Sequence, residues 1–239
     1  MTFEPVLAVA ERIFESDTNE KVFDILLEFA KTVGIDFLFI GRLGYLLSSP
    51  PGPPDLFMSN MEAWSKIYLK EGYIHTDPRV HLAMRINRAF HYDEAFQDLT
   101  PAQAAFVKHA KEHGLIDGFV VPVHNRVGAP GTVNMGSSQA LKLKNVDKLR
   151  LEMLAHLAFR VIDNQNNINN KSSMPKLSDR ERTVLTLVAR GKTNWEIGTI
   201  LSISEYSVRD YLKALSQKLE TSNRTHSVAR AMQLGLISP

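Results

Sequence analysis

Trp64 and Tyr68 stand four residues apart, with Asp77 nine residues further on. Four residues make one helical turn, so an indole N–H and a phenol O–H can point from one face into one cavity, where Asp77 can accept an N–H. Two donors and an acceptor of this kind suit a small molecule carrying an amide and carbonyl oxygens. Asn134, in an apolar stretch that reads as a strand, offers one more polar contact. Each residue also has a plainer reading. Asp77 before Pro78 is an ordinary helix N-cap with proline at the first helical position, and a Trp/Tyr pair at helical spacing is ordinary core.

A second chemistry lies near the C-terminus. Ser178 and Glu181 have capping-box spacing, and so do Thr193 and Glu196; Ser204 opens a third helix through Val208, Tyr211, Leu212, Leu215 and Leu219. In the short middle helix Ile197, Ile200 and Leu201 read as the inner face. Short helix, tight turn, longer helix is the helix-turn-helix pattern. Tyr206, Ser207, Arg209, Asp210 and Lys213 fall off the apolar face, near the end that would enter a major groove, where base edges are read. Lys192 and Arg224 are candidates for phosphate contact, and Thr193 for the DNA-binding surface. Taken singly, each is equally well a solvated surface residue.

A third pattern, His109-Ala-Lys-Glu-His113, has the H-x-x-E-H spacing of one zinc-peptidase class. It falls in the last turn of a helix, where His suits the dipole, and a strand follows too soon for a metal cleft. Gly128-Ala-Pro-Gly131 is a turn, because no helix follows to receive a phosphate. No catalytic residue, metal site or cofactor is expected.

The elements that position these residues mix helix and strand. Residues 19–33 have helical spacing and lead into the apolar run Asp36–Leu43. Thr100-Pro-Ala-Gln103 caps a helix running to about His113, with Gly114 closing it. Phe119–His124 and Thr132–Met135 read as paired strands. Val146–Ile162 is a long amphipathic helix with Leu149, Met153, Leu157 and Val161 on one face. The four prolines of Pro50–Pro54 force a surface loop. Residues 164–175, rich in amides and ending at Pro175, read as a linker between a first domain of residues 1–163 and a second of residues 176–239.

Composition agrees with two globular units. The chain has 239 residues, 44% hydrophobic and 23% charged, with no Cys, which excludes a disulfide framework and thiolate zinc. Residues 176–239 hold 10 Lys and Arg against 6 Asp and Glu, while the rest hold 18 against 20, so the small piece is the basic one. Without a basic segment leading an apolar N-terminal run, or eighteen apolar residues together, a cytoplasmic location is expected.

Leu177-Ser-Asp-Arg-Glu-Arg-Thr-Val-Leu185, Gly191-Lys-Thr-Asn-Trp-Glu-Ile197, Val208, Lys218-Leu219 and Asn223-Arg-Thr225 together resemble the output domain of LuxR-type transcription regulators. Glu181, Leu185 and Gly191 match core positions of that family, with Glu181 anchoring helices. No receiver pattern of acidic pair and lysine can be assembled upstream. Instead Trp64-Ser-Lys-Ile-Tyr68, His75-Thr-Asp-Pro78 and Gly114-Leu-Ile-Asp-Gly118 resemble the acyl-homoserine-lactone-binding domain of the quorum-sensing branch.

The resemblance implies an α+β fold: an N-terminal α/β/α sandwich around an antiparallel sheet, then an all-α four-helix output domain. It implies Trp64 on the lactone carbonyl, Tyr68 on the acyl carbonyl and Asp77 on the amide N–H. Where the family pattern has Pro-Phe-x-Trp, this chain has Ala89-Phe-His-Tyr92, so Tyr92 takes the place of a second pocket tryptophan with less area and an O–H that needs a partner when buried. Tyr45, Leu46, Phe57, Met58 and Phe119 are candidates for the acyl-chain wall. The implied partners are double-stranded DNA bearing an inverted repeat, a second copy of the chain as homodimer, and RNA polymerase, with no membrane. A regulator of the same architecture answering a different small molecule, or none, is the alternative.

Overall fold

The computed structural model of the protein describes residues 4–43, 56–124, 130–169 and 175–237. Two helices open the chain, α1 (Glu4–Phe14) and α2 (Asn19–Lys31), the second capped by the Thr18 side chain accepting from Lys21 N–H. Strand β1 (Phe37–Arg42) and the short β2 (Phe57–Ser59) follow, then helix α3 (Glu62–Lys70), a 3-10 turn (Tyr73–His75) and helix α4 (Pro78–Ala83). Strand β3 (Phe90–His91) runs into α5 (Tyr92–Ala95), and α6 (Pro101–Glu112) starts at the expected Thr100/Gln103 capping box. Strands β4 (Asp117–His124) and β5 (Pro130–Ser137) precede the long α7 (Asn145–Asn169).

The strands form one sheet in the order β2-β1-β5-β4-β3, with every adjacent pair antiparallel. Because side chains alternate along a strand, the sheet separates two cores. Leu38, Ile40, Phe119, Val121, Val133 and Met135 pack with α1, α2 and α7. Phe37, Phe39 and Val120 face the other way, toward Trp64, Tyr68, Tyr92 and Phe106. Helices therefore cover both faces of an antiparallel sheet, as an α/β/α sandwich requires. Gly118 admits the second layer closely: a Cβ there would lie 2.2 Å from Tyr92 Cζ and 2.6 Å from the Met135 carbonyl oxygen.

Three expectations change. On α7 the buried apolar residues include Leu151, Leu154, Ala155, Ala158, Phe159, Val161 and Ile162, so the expected stripe is split: Leu149 and Met153 are exposed, while Val161 is buried and Leu157 packs against the core. This helix is apolar on more than one side, and period alone does not choose between stripes. Second, α7 continues through Asn169. Asn and Gln are only weakly unfavourable in a helix, and here Gln165 donates to the Ser16 carbonyl while Asn19 donates to Asn166. Third, Met58 and Phe119 belong to the core on the α1/α2/α7 side and are no part of a wall near Trp64. Tyr45, Leu46, Pro50–Pro54 and Gly128 lie outside the described residues, as does the side chain of Phe57.

The chain divides into two compact units, residues 1–168 and 169–239. The second contains α8 (Asp179–Ala189), α9 (Asn194–Leu201), α10 (Glu205–Leu219) and α11 (Arg224–Gln233). Both expected capping boxes are present, at Ser178/Glu181 and Thr193/Glu196. Ser202 adopts a left-handed conformation at φ 54°, and Ile203 N–H returns to the Gly198 carbonyl. A Cβ on Gly198 would meet Ile203 O at 2.7 Å, so this glycine permits the close α9–α10 approach. Ile197 is buried as expected, but Ile200 is exposed and faces outward.

Glu181 is the internal anchor of this unit. Its carboxylate caps α8 through Ser178 N–H and takes an ion pair from Lys218 on α10 at 2.7 Å. Burial pushes its carboxyl up, but Lys218 and the Ser178 hydrogen bonds outweigh burial and hold it below the ordinary 4.5. The stabilisation is therefore present above about pH 4.5 and lost as pH falls through the depressed value. Glu181→Gln should cost the second unit about 1 kcal/mol at pH 7, read as faster amide exchange across residues 179–219, and the deficit should shrink in acid. A deficit that is constant with pH would refute the electrostatic account.

Candidate functional site

The floor of a cavity in the first unit is built by alternate residues of two paired strands. Phe39 and Gly41 on β1 lie opposite Asn134 and Thr132 on β5, so all four present the same side of the sheet. Gly41 has no side chain to fill the space. Trp64 and Tyr68 of α3, Ile74 of the 3-10 turn, Asp77, Arg79 and Val80 at the start of α4, and Leu43 and Leu115 complete a lining of a cavity of about 50 Å³.

Asp77 has both roles that the sequence left open. Its side chain accepts from Arg79 N–H as the N-cap of α4, and the same carboxylate lines the cavity. It also accepts Tyr68 O–H at 3.1 Å, and Arg79 Nε and Nη2 at 2.8 Å each. Both partners are almost wholly buried. The guanidinium lies over the rings of Tyr92, at 4.8 Å, and Phe106, at 5.2 Å. Burial would lower the Arg79 pKa, but Asp77 overrides it and raises it. Burial, then the Asp77 charge, pushes the Tyr68 phenol well above its usual range, so at neutral pH it is a donor. Burial likewise raises Tyr92.

Trp64 stacks on Tyr73 at 5.8 Å and packs against His113 at 4.9 Å and His109 at 5.5 Å. Its indole N–H makes no hydrogen bond among the described residues, although the ring is 2% exposed and lines the cavity. The two histidines of the H-x-x-E-H segment thus back the indole. His109 Nδ1 is hydrogen bonded with Tyr73 O–H at 2.7 Å, and no group of three His, Asp or Glu among the described residues could hold a metal ion.

The fold therefore brings Trp64, Tyr68, Asp77 and Asn134 together around one cavity. Tyr92 is not on the lining: it sits behind, packed over Gly118, with its O–H donated to Asn134 Oδ1. Sequence reasoning missed Arg79 and Thr132. The sign of Arg79 was its place two residues after an N-cap aspartate, where a side chain can turn back on the cap.

On the second unit, Tyr206, Arg209 and Lys213 are exposed along α10, and Ser207 shares a hydrogen bond with the cap Ser204. Arg209 reaches Glu205 at 2.9 Å, one turn back on the surface. Thr193 caps α9, and Lys192 pairs with Glu196, whose carboxyl is held down to about 2, first by Thr193 N–H and then by Lys192. Arg224 donates to the Lys192 carbonyl at 2.8 Å, which gathers Lys192, Thr193 and Arg224 at one place. Such a surface, a helix end with cations beside it, suits duplex DNA.

A small cavity lined by polar and aromatic side chains in one unit and a helix-turn-helix in the other point to a transcription regulator with a sensory domain. The chain matches the family described as "Autoinducer binding domain" over residues 18–162 and that of "Bacterial regulatory proteins, luxR family" over residues 175–231. It belongs to the LuxR-type transcription regulators, and it carries an autoinducer-binding domain ahead of the DNA-binding one. It is 30% identical over 212 residues to the transcriptional activator protein BjaR1 of Bradyrhizobium diazoefficiens, covering 83% of this chain and 86% of that one. It is also 30% identical over 206 residues to the quorum sensing-dependent transcriptional regulator RpaR of Rhodopseudomonas palustris, covering 82% and 83%. Among solved structures, Escherichia coli SdiA shares the fold with a TM-score of 0.79 at 23% identity, over 99% of both chains. No helix among the described residues is long and apolar enough to cross a membrane.

Proposed function

We propose that the protein is an acyl-homoserine-lactone-responsive regulator of quorum sensing that binds promoter DNA as a homodimer in the cytoplasm and acts on RNA polymerase. The observation that carries this reading is the cavity itself. An unbonded indole N–H, a phenol, a buried carboxylate and an amide converge within apolar walls, which suits a polar acylated head group followed by a hydrocarbon chain. In this reading Trp64 holds the lactone carbonyl, Tyr68 the acyl carbonyl, Asp77 the head group's N–H side, and Asn134 a further oxygen, with Tyr92 setting Asn134. Phe39, Leu43, Ile74, Val80 and Leu115 wall the chain. The exposed apolar row Val146, Leu149 and Met153 on α7 supports pairing with a second copy. Lys192, Thr193, Tyr206, Ser207, Arg209, Lys213 and Arg224 form the DNA face.

A ligand that prefers the folded state must raise its stability by mass action. An acyl-homoserine lactone at a hundredfold excess over its Kd should stabilise the first unit by about 2.7 kcal/mol, a rise of about 5–10 °C in its melting temperature. Melting of the purified protein against lactones of four to twelve acyl carbons tests this. No shift with any lactone, together with a shift from lipid extract of a culture, would replace the lactone by another small molecule.

A further inference from the structure

Trp64 reaches the cavity from α3, and three of the rings that surround its indole come from two other elements. Tyr73 of the 3-10 turn stacks on it at an interplanar angle of 24°, while His109 and His113, one turn apart at the end of α6, meet it at 84° and 39°. The two imidazoles also touch each other edge to face, with centroids 4.7 Å apart. Each of the three rings is tied by a polar atom. A backbone carbonyl can only accept, so His113 Nδ1 carries the hydrogen that it donates to the His109 carbonyl at 2.9 Å, one of the last carbonyls of α6. His109 Nδ1 is hydrogen bonded in turn with Tyr73 O–H at 2.7 Å, which fastens the 3-10 turn to α6 beside the indole. Tyr73, His109 and His113 are not among the residues that line the cavity.

We propose that His113, His109 and Tyr73 are positioning residues of the pocket: they fix the direction of the Trp64 indole N–H, and so set how strongly the protein prefers a ligand with a carbonyl on its head-group ring. The proposal rests on the lactone reading above and deepens it. An indole has one N–H, which donates along one line in the ring plane. On a helix the ring still turns about two side-chain torsions, so this donor meets a fixed acceptor only where its neighbours select one orientation. Flat rings do this when their own planes are held, and here a hydrogen bond holds each one. The spacing of four between His109 and His113, which in sequence looks like a metal-binding pair, is also the spacing that puts two tethered rings on one side of a helix against a single indole.

The plainer role for these rings is packing, which would support every ligand of the pocket equally. The two roles separate on a ratio. Calorimetry on the full chain compares N-octanoyl-homoserine lactone with N-cyclopentyloctanamide, which keeps the amide, the chain and a five-membered ring but has no ring carbonyl. The lactone-to-amide affinity ratio of wild type should exceed that of Trp64→Phe by roughly two- to tenfold, the worth of one neutral hydrogen bond. His113→Ala should lose most of that excess while its affinity for the cyclopentyl amide falls less than about twofold, because the lost interaction is with the ring carbonyl alone. His113→Phe returns a ring to the indole and should recover part of the excess. Tyr73→Phe keeps the stack, cuts the tie to His109 and should lie between wild type and His113→Ala; if His113→Ala does not fold, this loss of one oxygen atom decides. A ratio kept at the wild-type value in both variants, whether or not the two affinities fall together, assigns the cluster to packing and overturns the proposal. Equal ratios in wild type and Trp64→Phe also overturn it, while lactone binding leaves the lactone reading in place. Binding of neither compound by wild type overturns both.

Discussion

Asp77→Ala should destabilise the first unit by about 3–5 kcal/mol, because it leaves the Arg79 guanidinium buried without its counter-charge. It also removes the cap of α4 and the partner of Tyr68 O–H. Domains of this size hold about 5–15 kcal/mol in all, so the variant should melt far below wild type and accumulate poorly. Asp77→Asn keeps the size and part of the cap but not the charge, and should lie between. The double variant Asp77→Ala/Arg79→Met removes both charges and should recover much of the loss, since an ion pair replaced as a pair costs far less than one broken. Urea melts of the single and double variants make the measurement. An Asp77→Ala protein within 1 kcal/mol of wild type would show that the buried pair does not hold this end of the pocket. It follows that a silent reporter in Asp77→Ala says nothing about ligand contact until folding has been measured.

How far the sequence shows this arrangement depends on how local each feature is. The helix-turn-helix was legible almost to the residue because Ser178, Thr193 and Ser204 cap their helices through partners three residues away. The pairing of Trp64 with Tyr68, and the cap at Asp77, are local in the same sense. The β4 residues were harder. Phe119, Val120, Val121 and Val123 are all buried, because both faces of the sheet are covered, so alternation gives no sign of which parity meets the pocket. Phe119 therefore reads equally well toward either core, and it packs on the α1/α2/α7 side. On α7 two apolar stripes compete, and only the packing of Leu151, Leu154, Ala158 and Ile162 against the sheet decides between them. Arg79 was passed over because arginine is ordinarily a surface residue, and its burial depends on the rings of Tyr92 and Phe106, which arrive from elsewhere in the chain.

Arg209→Ala should flatten the base preference at one position in each half-site and cost about 1–3 kcal/mol on the wild-type sequence, a loss of roughly ten- to hundredfold in affinity. Arg209 lies five residues into the unit's longest helix with its side chain 65% exposed. Its ion pair to Glu205 is on the surface and worth about 1 kcal/mol at most, so the fork is easily released to the O6 and N7 acceptors of a guanine. Arg224 differs. Its Nη2 is held on the carbonyl of Lys192, the residue before the α9 cap Thr193. Arg224→Ala should weaken all DNA sequences alike and lower the salt slope by about 1. If two copies bind together, the selected site should be an inverted repeat with half-sites about 10 bp apart, centre to centre. Site selection from random duplexes, with wild type and both variants, measures all three. An unchanged motif with Arg209→Ala would remove Arg209 from base reading; a sequence-dependent loss with Arg224→Ala would remove that residue from the phosphate role; and a single half-site would refute the homodimer on DNA.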